Sequence, residues 1–210
     1  MRVLVGCERS GIIRDAFCRR GHEAVSCDIE ETRAPGPHIQ GDVREALKQG
    51  WDLAILHPPC TYLSVSGLHW NKRRPERAEQ TEAALNFVRE LMAADVPRLA
   101  IENPISCISS RIRKPDQVIQ PYQFGDDASK ATCLWLHGLP LLEPTNRVPG
   151  RIVEHNGKRV ERWSNQTDSG QNRLGPSEER AELRSNTYPG IAEAMARQWG
   201  DANISEGRLL

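Results

Sequence analysis

Short apolar runs recur along this chain, separated by stretches whose apolar residues fall at helical spacing. Val3-Leu4-Val5 ends at Gly6, Ala24-Val25-Ser26-Cys27 ends at Asp28, Leu53-Ala54-Ile55-Leu56 leads into His57, and Arg98-Leu99-Ala100-Ile101 ends at Glu102. Thr132-Cys133-Leu134-Trp135-Leu136 follows later, and Ile39-Gln40-Gly41-Asp42 is a weaker member of the series. Continuous runs of this length, bounded by turn residues, predict buried strands. Ile12, Ile13, Ala16 and Phe17 predict a helix from about Gly11 to Arg20, with Ser10 as its cap and Gly21 as its stop. Val43 to Gln49 predicts a short helix. Pro75 to Ala94 predicts a long one, with Pro75 in the first turn and Ala84, Leu85, Phe87, Val88, Leu91 and Met92 on its buried face. A last helix is expected from about Gly190 to Trp199. Strands and helices in alternation predict an α/β fold, a mostly parallel sheet with helices on both faces.

From about Glu143 the texture changes. Residues 144 to 175 hold few large apolar side chains and many Asn, Gly, Arg and Ser. Asn156-Gly157 lies between Arg151–His155 and Lys158–Trp163, which predicts a tight hairpin, because Asn-Gly suits its left-handed turn. Six basic residues against three acidic ones make this segment locally positive. The expected division is a core over 1–143, a small basic insert over 144–180 and a C-terminal helical segment over 181–210.

Charge adds little at the scale of the whole chain. Its 210 residues carry 28 basic and 28 acidic side chains, so any polyanion must be met by local patches. No segment has the roughly 18 apolar residues of a membrane span, and Met1 to Val5 is strand-like rather than a signal sequence. The expectation is an intracellular, cytoplasmic protein with no membrane partner. Cys7, Cys18, Cys27, Cys60, Cys107 and Cys133 form no C-x-x-C pair and have no clustered histidines, so no metal site is expected. Five of them read as small buried apolar groups. Cys60 stands apart, because Pro58 and Pro59 stiffen the loop that carries it.

Three constellations carry candidate chemistry. The first is the turn Gly6-Cys7-Glu8-Arg9-Ser10-Gly11 with Asp28 past the second strand. Glycines allow a ligand close to the backbone, and an acid at that strand end can take ribose hydroxyls. The dinucleotide fingerprint and the P-loop lysine are both missing. Glu8 would oppose a pyrophosphate and tolerate a cation, so a sulfonium cofactor fits better than NAD. The second is His57-Pro58-Pro59-Cys60, a thiol at a strand exit. The third is Glu102-Asn103-Pro104, a carboxyl just past another strand, expected to be raised in pKa by apolar walls. Each alone also reads as an ordinary strand-exit turn. Together, a thiol and a carboxyl at one sheet edge point to covalent attack on an electron-poor ring.

In this order the constellations resemble the DNA (cytosine-5) methyltransferases, over roughly residues 2 to 142 and the last helix. The resemblance implies a Rossmann-like methyltransferase fold with S-adenosylmethionine as cofactor. It places Cys60 as nucleophile, Glu102 at the cytosine N3, and Lys130 in place of an arginine of the family's Gln-x-Arg-x-Arg segment. It assigns Gly6, Cys7, Glu8, Ser10 and Gly11 to the cofactor loop, Asp28 and Ile29 to the ribose end, Asp42 and Val43 to the adenine side, and Pro58 to the cofactor wall. Ser64 and Asn103 would meet the base, and Lys72, Arg73 and Arg74 the phosphates, from a mobile lid. Arg184 to Trp199 would be the segment that returns to the cofactor pocket. The family's large target-recognition domain has no counterpart here, and only the 144–175 region could replace it. DNA is therefore the expected substrate, with a free nucleotide such as dCMP as rival. A non-catalytic nucleic-acid-binding module and an NAD-dependent enzyme are weaker readings.

Overall fold

The computed structural model describes residues 1–175 and 187–201. In chain order the elements are β1 (Arg2–Gly6), α1 (Ile12–Arg19), β2 (Glu23–Asp28), β3 (His38–Gln40), α2 (Val43–Leu47), β4 (Leu53–Leu56), a 3-10 segment (Val65–Lys72) and α3 (Pro75–Met92). Then come β5 (Leu99–Pro104), α4 (Ile108–Arg111), β6 (Gln117–Ile119), β7 (Thr132–His137), the hairpin β8 (Arg151–His155) and β9 (Lys158–Arg162), and finally α5 (Pro189–Gly200). Seven strands make one sheet in the order β3-β2-β1-β4-β5-β7-β6. β1 to β5 run parallel, and β7 lies antiparallel between β5 and β6. The expected α/β sheet, mostly parallel and covered on both faces, is what the chain forms.

The apolar runs divide between the two faces with the period of two that a strand imposes. Val3, Val5, Leu53, Ile55, Ala100 and Leu134 pack with α1 and α5. Leu4, Ala54, Leu56, Leu99, Ile101, Cys133 and Trp135 pack with α2 and α3. One uninterrupted run thus feeds two cores. Arg14 is fully buried on α1. Its guanidinium donates to Asp15 at 2.8 Å, Ser26 Oγ at 3.2 Å and the Pro35 carbonyl at 2.9 Å, tying the β2–β3 connection to the helix. Among the described residues no helix is long and apolar enough to cross a membrane.

Three local expectations change. The cap of α1 is Gly11 (φ 77°), not Ser10, whose hydroxyl instead accepts from the Ile12 N–H at 3.2 Å. Glu102 is not past its strand but within β5, because β7 pairs Leu134 with it and Cys133 with Asn103. The weak strand ends at Gln40, since Asp42 leaves the sheet to cap α2 through the Arg44 N–H at 2.9 Å.

The hairpin forms where Asn-Gly predicts it, with Asn156 and Gly157 both at positive φ. Trp163, just after it, stacks on Tyr122 at 3.9 Å with the rings 7° apart. Asn165 docks the same segment on the core, since its Oδ1 accepts from the Ser129 N–H and its Nδ2 donates to the Ser129 carbonyl, each at 2.9 Å. The expected boundary at 180–181 and the start of the returning segment, Arg184 to Asn186, lie outside the described residues.

Candidate active site

The site is built at the C-terminal edge of the parallel strands, where loops from neighbouring strands meet. β1 ends at Gly6, and a side chain there would strike Val43 at 2.5 Å and Leu56 at 2.6 Å. Cys7 then turns the chain with φ 56°. Glu8 is buried, and its carboxylate accepts from the Gly11 N–H at 2.9 Å and from the Ser10 hydroxyl, holding the first turn of α1. β4 runs out through His57 into Pro58-Pro59-Cys60. The Cys60 carbonyl accepts from the Leu63 and Ser64 N–H groups at 3.0 and 2.9 Å. Asn103 of β5 donates its Nδ2 to the Pro58 carbonyl at 2.7 Å, so one strand exit clamps the other.

These loops line a cavity of about 860 Å³, toward the upper end of the range for small-molecule sites. Cys7, Glu8, Ser10 and Asp28 line it from the β1–β2 side. Pro58, Cys60, Ser64, Glu102, Asn103 and Lys130 line it from the β4–β5–β7 side. Across the sheet the order is Asp28, the β1 loop, the thiol loop, Glu102, then Lys130. The segment after the hairpin supplies a third wall through Gln166, Gly170 and Asn172, with Tyr188 from the start of α5.

The remaining candidates do not line the cavity. Gly6, Gly11 and Val43 serve backbone geometry and packing beneath it. Asp42 binds the Arg44 side chain, which holds its carboxyl below the usual range. Ile29 is exposed. Lys72 stays outside, and the Arg73 and Arg74 guanidiniums lie over the Trp70 ring at 5.7 and 5.1 Å. Arg9 forms an ion pair with Glu30 and, with Arg33, lines the β1–β2 side of the cavity.

The electrostatics differ from the sequence expectation at Glu102. Burial pushes its carboxyl up, as expected, but the His57 hydrogen bond and charge, then Lys130 and Thr132, outweigh burial and hold it below the ordinary range. His57 Nδ1 and Glu102 Oε2 are 3.0 Å apart, both nearly buried. Asp28 moves the other way, because burial outweighs Arg9 and His38 and raises it. Burial, then Asp28, pushes the Cys7 thiol up to about 12, so it stays protonated beside the cavity. Among the described residues no three His, Cys, Asp or Glu groups converge to hold a metal.

His57 is the residue the sequence reading passes over. Strand register gives it its place: β4 and β5 are parallel with Leu56 opposite Ile101, so the next residues, His57 and Glu102, fall side by side. Gln166, Asn172 and Tyr188 carried no sequence signal either, since nothing local brings the insert back over the strand ends.

No protein-family model matches the chain, and no curated protein matches it. Among solved structures, a candidate DNA modification methyltransferase encoded within an E. coli prophage aligns with TM-score 0.48 at 14% identity, over 71% of this chain and 52% of its own. The 16S rRNA methylase RmtB aligns with TM-score 0.34 at 18% identity, over 64% of this chain and 54% of its own. The chain spans about half the length of each of these proteins. At such identities and scores the likeness carries no functional weight, and what the chain does must be read from the cavity itself.

Proposed function

We propose that this chain is a cytosine-C5 methyltransferase acting on DNA, using S-adenosylmethionine and a covalent bond between Cys60 Sγ and C6 of the base. The observation that carries the reading is a single cavity holding Cys60, Glu102 and Asn103 on one side and Asp28 with the β1 turn on the other. The residues present suit the cofactor: a half-buried acid at the end of β2 for ribose hydroxyls, and neutral Cys7 and Ser10 beside it. When bound, the cofactor supplies the methyl group that C5 accepts.

The chain's own residues do the rest. Cys60 gives up its thiol proton to solvent as Sγ adds to C6, and the electron pair of the C5–C6 double bond becomes available at C5. Glu102 faces the ring nitrogen whose charge changes in this step; because His57, Lys130 and Thr132 hold its carboxyl below the ordinary range in the unliganded chain, it must take up a proton as the base binds before it can donate to N3. Its hydrogen bond with His57, 3.0 Å from Nδ1 to Oε2, holds the carboxyl in place. Asn103 fixes the Pro-Pro turn, so the thiol is positioned before the base arrives. Once C5 carries the methyl group, its proton passes to water, the C5–H electron pair restores the C5–C6 double bond, and the Cys60–C6 bond breaks with its electrons leaving on Sγ. In duplex DNA the base must leave the stack to reach the thiol.

A free nucleotide is the second reading, and one observation favours it. Most basic residues of the insert are spent on its own fold: Arg147 pairs with Glu161, Arg151 with Asp168, and Arg162 and Arg173 donate to the Asp168 and Gln166 carbonyls. Incubation with tritiated S-adenosylmethionine and duplex DNA, single-stranded DNA or dCMP separates the two, with Cys60→Ala as control. Label at C5 of cytosine in DNA supports the first reading, and label confined to dCMP the second. No transfer to any of them would sink both.

A further inference from the structure

Five tryptophans occur in the chain, and the fold uses four of them. Trp51, Trp135, Trp163 and Trp199 are 4, 1, 7 and 0% exposed, whereas Trp70 is 40% exposed. Each buried indole also donates its N–H to a carbonyl, those of Ala46, Arg113, Val148 and Pro140 respectively. The 3-10 segment that carries Trp70 contains no buried residue at all. The apolar surface of Trp70 therefore does nothing for the core.

Its surroundings are cationic and aromatic. The His69 ring lies 4.9 Å from it, and Arg73 and Arg74 place their guanidiniums over it. The backbone arranges this, since the Trp70 carbonyl accepts from the Arg73 and Arg74 N–H groups at 3.0 and 2.9 Å. No ion pair among the described residues joins Lys72, Arg73 or Arg74 to a carboxylate. The cluster is also tied to the thiol loop: Arg77 lies over Tyr62 at 5.0 Å and donates to the Thr61 carbonyl at 2.9 Å and the Gly67 carbonyl at 3.3 Å. Between the cavity and Trp70 the chain passes Val65, which lines the cavity and is exposed, as is Ile105 opposite it.

We propose that Trp70, Arg73 and Arg74 form a stacking platform for single-stranded DNA, gripping a nucleotide that flanks the base in the cavity. The inference rests on the DNA reading above and names the form of DNA. In a duplex each base face is covered by its neighbours, and only an unpaired nucleotide offers a face to an indole or guanidinium plane. Phosphate supplies the charge that these cations lack. With zero net charge on the chain, this local patch is what attracts a polyanion.

The test is binding of a short fluorescein-labelled single-stranded oligodeoxynucleotide, followed by anisotropy and by intrinsic tryptophan emission. Its duplex, an RNA of the same sequence and dCMP are measured alongside. Single-stranded DNA should bind tightest and quench emission, and Trp70→Phe should abolish the quench because only buried indoles remain. Trp70→Ala should weaken binding about tenfold, and Trp70→Phe clearly less. Arg73→Ala with Arg74→Ala should lower the slope of log affinity against log salt by about 1.4. Thermal melting by circular dichroism checks that the variants fold. Binding by Trp70→Ala within about twofold of the unmodified protein would overturn the platform, as would a duplex or RNA that binds as tightly. In those cases the methyltransferase reading survives, because the tritium assay decides it separately. Binding to no DNA, with transfer to dCMP, would overturn the platform and the DNA reading together.

Discussion

His57 and Glu102 share a hydrogen bond in a site that shields both from solvent. Burial and pairing pull the Glu102 carboxyl in opposite directions, and pairing wins. A carboxyl held low stabilises the fold above its unfolded pKa, and that stability is lost as pH falls through the folded value. In His57→Ala burial gains the upper hand, with Lys130 and Thr132 still opposing it. The variant should be markedly less stable than the unmodified protein at about pH 7, and the gap should narrow toward about pH 4. Urea denaturation at both pH values measures it, and a constant gap would mean the pair is not coupled as described. Cys60→Ala should lower methyl transfer by at least about a thousandfold and leave cofactor affinity unchanged. Asp28→Asn should do the converse, weakening cofactor binding about ten- to hundredfold by calorimetry. That Cys60, Glu102 and Asp28 come together at one cavity was legible in the sequence, because each follows an apolar run that ends at the same sheet edge. His57 was not, because its role comes from the register of two strands that lie far apart in the chain.

Among the elements, the central strands were the easiest to read and the edges the hardest. β1, β4 and β5 lie inside the sheet and are buried on both faces, so each shows as an apolar run. β6 has three residues, Gln117-Val118-Ile119, and exists through its pairing with β7 alone, which no local pattern encodes. The 3-10 segment was missed for a related reason, having no buried face to set a period. The first turn of α1 shows how a glycine can decide an element. Gly11 is left-handed, and a side chain there would meet the Arg14 guanidinium well inside van der Waals contact. Gly11→Ala should cost about 2 kcal/mol or more and lower Tm by about 4–8 °C, read by calorimetry. An unchanged Tm would show that Arg14 can yield without losing its buried partners.

For the molecule as a whole, the insert changes meaning between sequence and structure. Its composition suggested a basic arm reaching outward. Folded, the hairpin base is stapled to the core through Trp163 on Tyr122 and Asn165 on Ser129, and its next loop walls the cavity. Asn165→Ala should raise the substrate KM severalfold while cofactor affinity holds. Equal losses of both would mean that the loop supports the fold rather than the substrate.

The seating of α5 against α1 has a consequence for how the protein is made. Arg19 and Arg20 at the C-terminal end of α1 reach Glu193 and Asp201, and Phe17 and Met195 share one core. The ribosome delivers α1 first and α5 only after roughly 170 further residues, from Arg19 to Pro189. At about 5–20 residues per second, that leaves the α5-facing side of the Ile13–Phe17 stripe uncovered for on the order of ten to thirty seconds. The nascent chain therefore presents chaperones with the part of that stripe that β1 and β2 leave for α5 to cover.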